Sequence, residues 1–143
     1  MASTTRSYLS YPAAAAGISR ASSGGAAWSF SAYTEVVPVS TITAEYWIAG
    51  MTWMWHTPAA AADVTYEVLF ELATGAASSE VLIIQVPGSF RADTLAGYVP
   101  SNMIIFPEPK VIAANTRISV RVAQSLATTS QTYSGIKLLY SLA

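Results

Sequence analysis

Around residue 68 the side chains alternate: Val64, Tyr66, Val68, Phe70 and Leu72 are interleaved with Thr65, Glu67 and Glu71. Successive side chains of a strand point to opposite faces of its sheet. A period of two therefore commits this segment to a strand with one dry face and one wet face. The period returns at Ile118, Val120 and Val122, set against Arg117, Ser119 and Arg121, whose arginines point away from the core. It returns again over residues 132–142, with Ile136, Leu138 and Tyr140 on one face and Lys137 on the other. An amphipathic helix would need a period of about 3.6, and no stretch shows it convincingly.

Other segments fit the same pattern less regularly. Residues 33–39, 42–55 and 103–106 are rich in β-branched and aromatic side chains, and residues 80–86 are apolar on both faces until Pro87-Gly88 breaks the run. Residues 75–79 form a turn, and Pro58 with the short run 59–62 makes a connecting loop rather than a helix. About eight strands at short spacing predict an all-β chain, a single β-sandwich or jelly roll. Residues 1–27 differ: Ala, Ser, Thr and Gly dominate, with Pro12 and a flexible patch at 22–25. This reads as an extended N-terminal arm ahead of a sandwich domain over 28–143. Such an arm buries too little apolar area by itself to offset its ordering entropy. Tyr8, Leu9, Tyr11 and Ile18 are its anchors, and Trp28 stands at the junction with the domain. Docking on its own domain or on a neighbouring chain is expected.

Charge is scarce. Charged residues make up 10% of the chain and hydrophobic ones 52%, against a usual charged share of about 25%. Solvent-facing surface is where charge normally accumulates, so much of this surface is expected to be covered by other protein. No stretch approaches the roughly 18 apolar residues of a spanning helix, which argues against a membrane. With a net charge of −1 and no basic cluster beyond Arg117 and Arg121, nucleic acid is not an expected partner. The absence of cysteine excludes disulfides, thiolate catalysis and Cys-based zinc sites. The N-terminal residues lack the continuous apolar stretch of a secretory signal, so synthesis in a cytoplasm without export by that route is expected.

Little suggests catalysis. His56 is the sole imidazole, and any histidine-based acid–base mechanism must use it. Its sequence neighbours Trp55 and Thr57 are not carboxylates, and a rim or interface role is the simpler reading. Asp63, Glu67 and Glu71 come nearest to a metal-binding cluster, without the expected loop spacing. Glu67 and Glu71 share a strand face about 13 Å apart, wider than the roughly 6.5–9.5 Å of inverting glycosidases. Neither a cofactor nor an enzymatic activity is expected.

The stretch GMTWMWHTP, residues 50–58, is the densest aromatic segment. If Tyr46, Trp47, Trp53 and Trp55 were exposed together they would stack on sugars, and sandwiches commonly serve as lectin domains. On a regular strand, however, Trp47, Met51, Trp53 and Trp55 share one face while Tyr46, Ile48, Thr52 and Met54 take the other. A strand dry on both sides predicts a core wall with the arm or another subunit against its outer side. Trp53, Trp55 and His56 then belong to an interface. Arg117 and Arg121 join them through pairing with acidic residues of a neighbour, for which Glu67, Glu71 and Glu80 are the candidate mates.

The C-terminal quarter, PEPKVIAANTRISVRVAQSLATTSQTYSGIKLLY over residues 107–140, resembles small β-sandwich structural proteins of tailed-bacteriophage virions, among them capsid decoration (cement) proteins. Many such endings have Gly where this chain has Asn115, which tolerates the same left-handed turn. The resemblance implies a virion protein without catalytic residues, a homo-oligomer with a trimer favoured, bound to a major capsid protein or other virion protein. A tail, neck or fibre-base component and a carbohydrate-binding adhesion module are the alternatives.

Overall fold

The alternating segments assemble into two antiparallel sheets. The computed structural model describes residues 7–13, 17–22, 26–56, 64–92, 102–127 and 131–143. These contain nine strands and no helix: β1 (Leu9–Tyr11), β2 (Ile18–Ala21), β3 (Thr34–Val37), β4 (Tyr46–His56), β5 (Val64–Thr74), β6 (Val81–Ala92), β7 (Asn102–Ile112), β8 (Ile118–Gln124) and β9 (Thr132–Leu142). One sheet runs β1-β9-β4-β7, with β2 also on β9, and the other runs β3-β8-β5-β6. The run 59–62, expected to be a loop, lies outside the described residues.

The pairings reveal how the chain wraps. β5 pairs β6, β4 pairs β7, β3 pairs β8, and β1 and β2 pair β9. This is one long antiparallel ribbon folded about the β5–β6 turn. Successive ribbon pairs fall in alternate sheets, and β4–β9 and β5–β8 join them side by side. That wrapping makes the sandwich a jelly roll. The first strands of the roll come from the segment expected as an arm.

Between the sheets, Trp53 packs against Phe70 and Tyr133 at centroid distances of 5.2 and 6.1 Å, and Phe70 meets Tyr133 edge-on at 5.5 Å. Ile48, Met51, Ile136 and Leu138 extend the wall on one sheet, and Val68, Leu72, Val120 and Val122 on the other. Each such fully buried side chain stabilises the fold by about 1.5–3 kcal/mol relative to exposure.

Three details depart from the regular pattern. Pro87-Gly88 does not end its strand, because β6 is an edge strand and a missing N–H on the open side costs no ladder bond. The edge strand β7 likewise runs through Pro107 and Pro109, with register moving from Ile48–Lys110 to Gly50–Ile105. Most consequential is β4. Ile48 pairs Tyr140 while Gly50 pairs Leu139, so Ala49 is an extra, bulged residue. A bulge reverses the facing of everything beyond it. Tyr46 and Ile48 point inward before it, and Met51 and Trp53 point inward after it. A second bulge on β9 lies between the pairs Thr52–Lys137 and Met54–Ser134. There Gly135 has φ of +61°, and its carbonyl accepts a 3.1 Å bond from Thr52 Oγ1.

The N-terminal strands are fastened by a buried polar cluster. Ser22 Oγ donates to Gln124 Oε1 at 2.6 Å and accepts from the Gln131 N–H at 3.0 Å. Tyr133 OH donates to the same Gln124 oxygen at 3.3 Å. Tyr11 and Ile18 pack on the core of their own chain.

Candidate functional site

The outer face of the β3-β8-β5-β6 sheet is where the arginines sit. Arg121 Nε donates to Glu71, whose carboxylate also accepts from Gln85 Nε2 at 2.8 Å and from Tyr33 OH at 3.4 Å. The Arg121 guanidinium lies 4.4 Å from the Phe30 ring centroid and 4.7 Å from that of Tyr33. Burial, with the Glu71 charge beside it, raises the Tyr33 pKa even though Arg121 pulls it down. Glu71 is only 4% exposed, so the strand face expected to be wet is covered here. Arg117 donates to Glu35 at 2.9 Å, to Glu80 at 3.2 Å and to the Gly75 carbonyl at 3.0 Å. The acidic mates of both arginines are therefore in the same chain. The expected mates were Glu67, Glu71 and Glu80 of a neighbouring chain; here Glu71, Glu80 and Glu35 of the same chain take that place.

The aromatic strand is divided rather than presented. Trp53 is 1% exposed, and its place among the interface residues is corrected: the Ala49 bulge turns it into the core of its own sandwich. Tyr46 is fully buried as well, at 5.8 Å edge-to-face with Tyr140. The sugar platform thereby loses two of its four members. The side chains of Trp55 and His56 lie outside the described residues; their backbone pairs with Tyr133 and Thr132. Tyr8, Leu9 and Trp28 are exposed.

A different surface emerges on the outer face of the β1-β9-β4-β7 sheet. Residues paired across neighbouring strands share a face, so the register builds rows. Val111 lies beside Trp47 and Ser141, Ile105 beside Gly50, Leu139 and Ser10, and Met103 beside Thr52 and Lys137. Met103, Ile105 and Val111 are 64%, 59% and 52% exposed. In these three rows Lys137 is the one charged residue. Sequence reasoning missed this patch because residues 103–106 are apolar throughout, and a continuous apolar run does not show which side faces water. Among the described residues no cluster of His, Asp and Glu is arranged to hold a metal ion.

No protein-family model matches the sequence, and no curated protein matches it. Among solved structures, the fold is similar to a chain in the structure of infectious bursal disease virus Gx strain, with a TM-score of 0.39 and 10% identity. The alignment covers 95% of this chain and 32% of that one, so the chain spans about a third of the protein it resembles. A likeness at this level carries no argument about function.

Proposed function

We propose that the chain is a non-enzymatic structural protein of a bacteriophage virion. It decorates and stabilises the capsid by packing the outer face of the β1-β9-β4-β7 sheet against a different surface of a neighbouring copy, head to tail around the threefold axis of the favoured trimer. The major capsid protein is the second partner. The observation that carries this reading is the line of exposed apolar side chains Met103, Ile105 and Val111 along β7. A surface with one charge in three rows is poorly suited to water and well suited to a copy with the same composition. Covering the exposed parts of these three side chains contributes about 3–5 kcal/mol before association costs. Pro107 and Pro109 remove two donors from the edge strand β7, which disfavours edge-to-edge strand addition and leaves face packing.

Sedimentation velocity of the wild type against the Ile105→Asp/Val111→Asp double variant tests this. The wild type is expected to sediment as an oligomer at tens of micromolar and the variant as a monomer with an unchanged circular dichroism spectrum. A monomeric wild type, or a variant of unchanged mass, overturns the reading. Cosedimentation with empty capsids separates a decoration protein, which binds them, from a tail, neck or fibre-base component, which does not.

A further inference from the structure

On the opposite sheet, Trp28, Glu67, Leu69, Pro87 and Ser89 line a groove of about 430 Å³. We propose that this groove receives an arginine side chain of a partner polypeptide, stacked on the Trp28 indole and paired with the Glu67 carboxylate. The inference is independent of self-association through the other face.

Three observations converge on it. The first is the conformation of Trp28. Its φ is +59°, and for a bulky side chain that left-handed backbone is a genuine outlier. It persists because the flanking segment is pinned: the Trp28 N–H donates to the Gln124 carbonyl at 2.7 Å, and the Ser31 N–H to the Val122 carbonyl at 2.9 Å. Ser31 Oγ in turn accepts from the Val122 N–H at 3.1 Å. Strain held in place this firmly commonly serves a ligand contact. Here the product is an indole left 46% exposed at the groove.

The second is charge. Glu67 is exposed, and among the described residues no ion pair engages it. Leu69 and Pro87 supply apolar surface for an aliphatic stem, while the aromatic face and the carboxylate both favour a cation at its end.

The third is a filled version of the same device on the same strand face. Four residues along β5, Glu71 pairs with Arg121, whose guanidinium lies over Phe30 and Tyr33. At Glu67 the carboxylate and the aromatic ring both line the groove, and among the described side chains no guanidinium stands between them. Arginine is preferred over lysine because a planar guanidinium stacks on an indole while keeping its donors for the carboxylate.

The test uses the intact protein and the Trp28 indole N–H resonance, assigned by its loss in Trp28→Phe. N-acetyl-arginine amide is titrated against N-acetyl-citrulline amide, which has nearly the same shape and no charge. A saturable millimolar shift with the arginine derivative alone is expected. In Glu67→Gln, which should melt at the wild-type temperature, binding should weaken about fivefold and lose most of its salt dependence. Equal shifts with citrulline, an unaffected Glu67→Gln, or a stronger response to a neutral methyl glycoside each overturn the assignment, the last in favour of a sugar groove.

Discussion

Replacing Trp53 by alanine removes the largest side chain of the core, one with 1% of its surface exposed. Truncations of buried tryptophan cost about 3–5 kcal/mol through lost transfer energy and the cavity left behind. Unfolding entropy near 2.1 cal/mol/K per residue gives roughly 0.3 kcal/mol/K for a chain of this length, so the melting temperature should fall by about 10–17 °C. Gly88 supplies an internal control. A Cβ at that position would stand 2.7 Å from Trp53 Cζ2 and 3.1 Å from Val68 Cγ1. Gly88→Ala therefore overpacks the site and should cost about 1–3 kcal/mol. In the alanine-53 background the indole is gone, and the same methyl partly refills the space. The double variant should thus be more stable than the two single losses predict, by about 1–2 kcal/mol of coupling. Urea unfolding at one protein concentration, followed by far-UV circular dichroism, measures all four corners of the cycle. A loss under about 1 kcal/mol for Trp53→Ala, or strictly additive costs, would refute the placement of the indole against Gly88.

Three further outcomes follow from buried polar groups. Burial, with a smaller contribution from Tyr140, pushes the Tyr46 pKa up to about 12, and burial with Tyr66 raises that of Tyr133. The folded chain then keeps protons that the unfolded chain releases near pH 10. Their stabilisation is complete below about pH 10 and is lost as pH rises through the folded values, by at most about 1.4 kcal/mol per pH unit for each tyrosine. Urea midpoints between pH 8 and 11.5 should show that decline. Tyr46→Phe should make it shallower, the Tyr133 share remaining, while being neutral or slightly stabilising at pH 7, since the buried Tyr46 hydroxyl has no hydrogen-bond partner among the described residues. Glu71→Ala leaves the Arg121 guanidinium unpaired and should cost about 2–3 kcal/mol, less than for a fully buried pair because Arg121 keeps some solvent contact; much of that loss should return in Glu71→Ala/Arg121→Leu, read by thermal melting. Ser22→Ala removes the hydroxyl joining Gln124 and Gln131. It should cost about 1–2 kcal/mol and speed hydrogen exchange in β2 more than in β5.

Period-two alternation determined the strands at Val64–Thr74, Ile118–Gln124 and Thr132–Leu142, and with them an all-β sandwich. It did so because a strand's two faces are a local property of the chain, written every second residue. Pairing is not local, and what depended on it was decided only by tertiary structure. Pro87 reads as a breaker in sequence and is tolerated because β6 falls at a sheet edge. The N-terminal residues read as an arm and become strands because β9 offers them an open ladder. Glu71 alternates as a wet residue, yet Arg121, Tyr33 and Gln85 close over it. Along β4, alternation places Trp53 with Trp47, and a single extra residue at Ala49 separates them. A bulge has no signature in an apolar segment, since it is defined by two residues opposing one on the neighbouring strand. The identity of the apolar residues was legible in the sequence; whether each became core wall or outer surface was set by register.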